Sequence, residues 1–172
     1  MTIAEFDHLP AEKKRELLLQ CCSSKCWADK MLTVFPVEDL VDLEECAEEK
    51  WYQCSEQDWK EAFQQHPKIG DINSLKQKYS ATKTWAEGEQ AGVSTASEEV
   101  LQKLSERNNK YQEKFGYIFI VCATGKTAGE ILVMLEDRLP NSPEEEIKIA
   151  AEEQNKITKI RIEKLFSVNL PL

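Results

Sequence analysis

Apolar residues recur at intervals of three and four along almost the whole chain, and only six glycines interrupt them. That periodicity packs as amphipathic helices and leaves little sequence for sheet. Segments 10–22, 24–34, 37–54 and 56–66 follow it, with Pro10 and Pro36 as punctuation. Helix starts are marked where a side-chain acceptor precedes a first-turn carboxylate: Ser55 with Asp58, Thr127 with Glu130, and Ser142-Pro143 with Glu145. From Ser97 to Phe115 the residues Val100, Leu101, Leu104, Tyr111 and Phe115 form one stripe, and Gly116 is a natural stop. The run Tyr117-Ile118-Phe119-Ile120-Val121-Cys122 breaks the pattern, being β-branched and aromatic with no helical polarity. The expected fold is all-α, a single-domain helical bundle over residues 1–172 with one buried extended segment near 117–122. A lone extended segment cannot satisfy its own backbone, so other chain segments or a ligand must meet its N–H and C=O groups. Between Gly70 and Ser97 the periodicity weakens, which predicts a long loop carrying short helical turns, and long loops in compact domains are often functional.

Lys and Arg total 22 against 31 Asp and Glu, a formal charge of −9. Such a surface repels phosphate backbones and anionic headgroups, so nucleic acid and membrane are poor partners. No apolar stretch approaches the roughly 20 residues of a membrane helix. The N-terminus lacks the basic-then-apolar order of a secretory signal, and the C-terminus does not end in a Ser-Lys-Leu type of peroxisomal signal. A cytoplasmic location is expected, with a small molecule as partner; the sequence leaves a homodimer open. The cysteines Cys21, Cys22, Cys26, Cys46, Cys54 and Cys122 form no CxxC pair, and two histidines are too few for the usual mixed ligand sets. Cys22 and Cys26, four apart, fall on one helix face as buried thiols, and no metal site is expected.

Two residues stand out chemically. His66 shares a face with Trp59, Ala62 and Phe63, and Pro67 ends the helix there. An imidazole at a helix C-terminus is favoured in its protonated form, which suits a general acid; the alternative is a core histidine that caps the last carbonyls. Arg161 lies on the inward stripe Ile157, Arg161, Leu165 of the last long helix. Buried without a partner it would cost about 3–5 kcal/mol, so an internal carboxylate or a bound anion must compensate. Arg15, Arg107 and Arg138 sit among polar neighbours and read as surface residues. The cluster Glu87-Gly88-Glu89-Gln90 lies in the loop after His66 and reads by itself as a solvated turn. Gly125-Lys126-Thr127 lacks the first glycine of a phosphate-binding loop, because position 120 is Ile120, and no GxSxG nucleophile elbow occurs.

The run His66-Pro67-Lys68-Ile69-Gly70-Asp71, then Glu89-Gln90-Ala91-Gly92, Asn108-Asn109-Lys110-Tyr111, Phe115-Gly116-Tyr117-Ile118-Phe119-Ile120 and Ile160-Arg161-Ile162 resembles the 2-oxo-4-hydroxy-4-carboxy-5-ureidoimidazoline (OHCU) decarboxylase family over nearly the whole chain. The resemblance implies an all-helical lyase of urate breakdown that acts after urate oxidation and ring hydrolysis, releasing CO₂ to give (S)-allantoin. It implies that His66 is the catalytic histidine, with Pro67 lining the pocket. Glu89 is implied to be catalytic beside His66, and Glu89 and Gln90 to meet ureido or ring nitrogens, with Glu87 the matching glutamate under a shifted alignment. Ala86 stands where family members often carry Ser. The backbone of Phe119, Ile120, Val121, Cys122 and Ala123 is implied to hold the ring, and Arg161 to clamp a carboxylate or carbonyl.

That chemistry needs no cofactor, because the unsaturated ring beside the departing carboxylate delocalises the charge left on carbon. The protein must supply orientation and a proton on one face. The rival reading is an acidic helical binding module without catalysis, in which His66 caps a helix and Arg161 closes an internal salt bridge. A hydrolase acting on the preceding hydroxyisourate is weaker, since two histidines are few for that work.

Overall fold

The computed structural model describes residues 1–68 and 98–166. The loop expected between Gly70 and Ser97 lies outside the described residues. Among those described there are eight helices and no strand, so the fold is all-α: α1 (Ile3–Asp7), α2 (Ala11–Cys21), α3 (Lys25–Met31), α4 (Leu40–Tyr52), α5 (Glu56–Phe63), α6 (Glu98–Phe115), α7 (Ala128–Arg138) and α8 (Pro143–Phe166). The chain divides into two compact units, one of Met1–Ala62 with Gln154–Leu172 and one of Phe63–Glu153.

In the first unit the helix starts are chemical. Thr2 and Glu5 form a capping box on α1, Ser24 accepts from Trp27 N at 3.3 Å to start α3, and Asp39 accepts from Asp42 N at 3.0 Å to start α4. Ser55 and Asp58 cap α5 reciprocally: Asp58 N donates to Ser55 Oγ at 3.3 Å, while Ser55 N donates to Asp58 Oδ2 at 2.8 Å. Two indoles then tie helices to main chain, Trp27 Nε1 to Ala47 O and Trp59 Nε1 to Trp51 O, both at 3.0 Å. Each large apolar side chain so buried is worth roughly 1.5–3 kcal/mol, and Phe6, Leu18, Trp27, Met31, Leu43 and Trp51 are the largest here. Phe6 also packs tilted against Phe35 and edge-on against Phe166, with ring centroids 4.8 and 5.3 Å apart.

Two expectations are corrected in this region. Cys22 and Cys26 do not share a helix face: Cys22 is the extended residue that ends α2, and Ser24 caps a new helix before Cys26 is reached. The segment 56–66 is helical only to Phe63. Pro67 disfavours helical backbone at His66, whose N–H instead closes a tighter turn onto Phe63 O at 3.2 Å.

The second unit is built on aromatic packing. Tyr111 of α6 meets Phe115, Tyr117 and Phe119 at centroid separations of 4.6, 5.9 and 5.2 Å, and Phe63 meets Tyr117 at 5.2 Å. α6 stops where the sequence predicts it: Gly116 adopts φ +80° and its N–H returns to Gln112 O at 2.9 Å. Residues 117–123 then run without helix or strand and are buried apart from a half-buried Ile118, as expected for this stretch. Thr127 and Glu130 form a capping box on α7, and Ser142 with Glu145 starts α8 in the same way.

Gly116 is the position where backbone freedom is required. A Cβ there would meet nothing within 4 Å, so the cost of Gly116→Ala is purely conformational. It should destabilise the protein by about 1 kcal/mol, a fall in Tm of about 2–4 °C for a chain of this size. Gly129→Ala, in helical backbone with only Thr127 Oγ1 nearby at 3.9 Å, should have the opposite sign. Thermal denaturation of the two variants checks both.

Candidate active site

His66 lies one turn beyond the last residue of α5 and is half-buried, and the adjoining Pro67 is buried. The next residue anchors this stretch. Lys68 Nζ donates to Asn109 Oδ1 at 2.5 Å and to Gln112 Oε1 at 3.3 Å, both on α6. The motif carrying His66 is thereby fastened to the helix that carries the Asn108-Asn109-Lys110-Tyr111 motif, within the second unit.

The same unit holds Phe119, Ile120, Val121, Cys122 and Ala123, all buried. Charged side chains meet the main chain of this stretch. Arg138 Nη1 donates to Ile120 O at 2.8 Å, Cys122 N donates to Glu153 Oε2 at 2.6 Å, and Lys126 Nζ donates to Cys122 O at 2.9 Å. The sequence therefore raised the right question about this backbone, and protein side chains answer part of it.

Arg138 corrects a further expectation. It is only 7% exposed and not a surface residue. Its Nε and Nη2 donate to Glu146 Oε1 at 2.8 and 2.5 Å, and its guanidinium lies 4.4 Å from the Phe119 ring centroid. Glu146, fully buried, also accepts from Tyr111 Oη at 2.5 Å and from Asn141 Nδ2 at 2.8 Å. Burial pushes the Tyr111 hydroxyl far above its ordinary range, which keeps it a donor to that carboxylate. The signal was present in the sequence, because Ile131, Leu135 and Arg138 continue one stripe of α7 at spacings of four and three. Polar flanking residues masked it. Glu153 was missed for a similar reason, as one carboxylate among many in α8. Arg15 and Arg107 fit the surface reading, paired with Asp29 and Glu136.

Arg161 belongs to the first unit and is buried, as its stripe predicts. Its Nη1 donates to the main-chain oxygen of Cys21 at 3.5 Å. Burial pushes the Cys21 thiol up to about 12 and the Cys22 thiol up to about 11, so both are neutral at physiological pH. Elsewhere in this unit Cys26 Sγ, Cys54 Sγ and an Asp58 oxygen lie within 4.8 Å of one another. Their chemistry there is hydrogen bonding: Asp58 caps Ser55, Cys54 Sγ donates to Lys50 O at 3.3 Å, and burial pushes the Cys54 thiol up to about 12. Ala86, Glu87, Glu89 and Gln90 lie outside the described residues.

A family model described as OHCU decarboxylase matches residues 7–163. The chain belongs to the OHCU decarboxylase family. Among curated relatives, the uric acid degradation bifunctional protein TTL of Arabidopsis thaliana is 39% identical over 148 residues, covering 86% of this chain and 45% of that protein. The 2-oxo-4-hydroxy-4-carboxy-5-ureidoimidazoline decarboxylase of Amia calva is 32% identical over 98 residues, covering 57% of this chain and 55% of that protein. The chain thus spans about half the length of these two family members. A crystal structure of OHCU decarboxylase in the presence of (S)-allantoin superposes with a TM-score of 0.73 at 38% identity, covering 87% of this chain and 96% of the other. A crystal structure of (S)-allantoin synthase shares the fold, with a TM-score of 0.71 at 17% identity, covering 95% of this chain and 54% of the other.

Arg138 and Glu146 form a buried pair, and truncating one partner strands the other. Arg138→Ala should destabilise the protein by about 3–5 kcal/mol. The double variant Arg138→Met with Glu146→Gln, which removes both charges at similar volume but leaves Ile120 O without its donor, should recover only part of that loss in urea denaturation.

Proposed function

We propose that this chain converts 2-oxo-4-hydroxy-4-carboxy-5-ureidoimidazoline to (S)-allantoin and CO₂, as a cofactor-independent carboxy-lyase of urate breakdown. Family membership carries the reading. The stretch Phe119–Ala123 adds to it, because a buried main chain with groups free for a ring is what recognition of a small cyclic amide requires. The family match runs through both compact units, which supports treating residues 1–172 as one functional domain. The substrate is a small anion, and a cytoplasmic location suits its use. No helix among the described residues is long and apolar enough to cross a membrane.

In this mechanism the bond between the ring carbon and its carboxylate breaks, CO₂ departs, and the electron pair stays on the ring. The neighbouring unsaturation of the ring takes up that charge, so the substrate is its own electron sink. The protein fixes one face of the ring and delivers one proton to carbon. His66, as imidazolium, is the donor; its proton passes to the ring carbon and leaves a neutral imidazole to be reprotonated by solvent. Arg161 holds the substrate anion or a ring carbonyl through its planar pair of donors. Glu89 and Gln90 meet ureido or ring nitrogens, with Glu87 and Ala86 beside them, and Pro67 and the 119–123 backbone hold the ring in plane. Delivery from one side makes the product a single enantiomer.

The decisive measurement is formation of (S)-allantoin when urate oxidase and the hydrolase that follows it supply fresh substrate. The protein should form (S)-allantoin faster than buffer alone; a rate equal to buffer leaves a binding module and no enzyme. His66→Gln keeps volume and some hydrogen bonding without the transferable proton, and kcat should fall about 10²–10⁴-fold with allantoin affinity little changed. For Arg161→Ala the loss should appear mainly in KM, and Lys should be a poor replacement. If Arg161→Ala unfolds the protein while Arg161→Met restores both stability and turnover, Arg161 is a structural residue and not a clamp.

A further inference from the structure

From the Ile120 C=O to the Ala123 N–H the main-chain groups alternate in what they meet. Those of the even residues point to charged side chains: Ile120 O to Arg138, Cys122 N to Glu153 and Cys122 O to Lys126. Val121 lies between them with neither its N–H nor its C=O bonded to a partner among the described residues, and it is only 5% exposed. The N–H of Ala123, also buried, is in the same position, while its C=O closes the turn to Lys126 N at 3.0 Å. Alternation of this kind is what a strand-like segment produces, with one edge fastened to protein and the other turned away from it. Buried donors and acceptors without partners are costly, so that second edge calls for an occupant.

The charges act on the free edge through the peptide bonds. Ile120 O and Val121 N belong to one peptide group, and a cation on the oxygen draws electron density from the nitrogen and sharpens its N–H as a donor. Val121 O and Cys122 N belong to the next group, where a carboxylate on the N–H enriches the oxygen as an acceptor. A cation on Cys122 O does for the Ala123 N–H what Arg138 does for that of Val121. Val121 therefore carries a strengthened donor and a strengthened acceptor on one residue. A lactam or cyclic urea, with N–H and C=O on adjoining ring atoms, is complementary to such a pair. A simple carboxylate or a hydrocarbon is not.

We propose that Arg138 and Glu153 are positioning residues that polarise the two peptide groups flanking Val121, so that its N–H and C=O grip the N–H/C=O edge of a cyclic ureide. This rests on the decarboxylase reading for the ligand and adds to it two residues that need not touch the ring. Both groups are buried, Arg138 at 7% and Glu153 at 5% exposed, and both bonds are short. Arg138 is held from behind by Glu146, which in turn is held by Tyr111 and Asn141, so its aim at Ile120 O is fixed before any ligand arrives.

The test is a titration of the ¹⁵N-labelled protein with (S)-allantoin, followed through backbone amide shifts, together with kinetics of Glu153→Gln. In the ligand-free protein the Cys122 amide proton should already lie far downfield. On titration the amide protons of Val121 and Ala123 should move downfield. Glu153→Gln keeps an acceptor for Cys122 N–H but removes the charge. Its Kd for (S)-allantoin and its KM should rise roughly three- to tenfold with kcat little changed, because the grip is made alike on ground and transition states. A merely structural role would lower Tm and leave KM alone. If the variant does not fold, the amide shifts of the unaltered protein still decide. Turnover with a stationary Val121 amide, or a folded Glu153→Gln with unaltered KM and Kd, overturns this inference and leaves the decarboxylase standing. A protein that neither binds (S)-allantoin nor forms it faster than buffer overturns both.

Discussion

Main chain that is buried without a regular ladder must find partners one group at a time, and the stretch from Phe119 to Ala123 imposes that demand on the second unit. The helices around it answer with charge. Arg138 is the last residue of α7 and Glu146 lies in the first turns of α8, so each ion sits at the helix end whose dipole favours it. Glu153, two turns further along α8, reaches Cys122 N, and Lys126 turns back from the loop to Cys122 O. The rings of Tyr111 and Phe119 lie against the guanidinium, with centroids 6.0 and 4.4 Å away. Dry surroundings strengthen each of these bonds and make each harder to do without.

The helices were legible because their boundaries are written in short-range chemistry. Ser55 with Asp58, Thr127 with Glu130 and Ser142 with Glu145 act within one turn, so no knowledge of the tertiary fold is needed to place them. The stop at Gly116 is of the same kind. The end of α5 was harder, since the apolar face that includes His66 runs on after the backbone has already tightened ahead of Pro67. Spacing also misled for Cys22 and Cys26. Four residues apart implies one face only if one helix holds both, and the Ser24 cap breaks that condition.

Among candidate site residues, legibility depended on whether a polar group interrupts an apolar stripe in a region the eye already reads as inward. Arg161 passed that test beside Ile157 and Leu165, and it is buried. Arg138 satisfies the same rule after Ile131 and Leu135, yet Glu136 and Asp137 beside it made the end of α7 read as surface. Glu146 and Glu153 are harder still, because α8 begins with three successive glutamates and only tertiary contact separates those that cap from the one that is buried. His66 and the 117–122 run were visible from local pattern, while the roles expected of His66 and of the 119–123 backbone came from motif order, which carries information that periodicity lacks. Neither source of evidence yields the hydrogen bonds of Ile120 O and Cys122 N, since these join residues 18 and 31 positions apart.

Buried ion pairs are poor instruments of stability, because desolvation offsets much of their attraction and well-packed apolar residues usually do as well. The arrangement of Arg138 with Glu146 is therefore weakly explained by stability alone. An apolar substitute could fill the volume, but it could not take up Ile120 O or Cys122 N, and the segment would have to turn inward to satisfy itself. Turned inward, it would present no donor or acceptor at Val121. The charges hold an otherwise unfavourable backbone in the one orientation that leaves a polar edge free. Under the proposed function that free edge is where the donors and acceptors of the substrate ring are met, so the charges that fix the backbone and the group that recognises the ring have one physical cause.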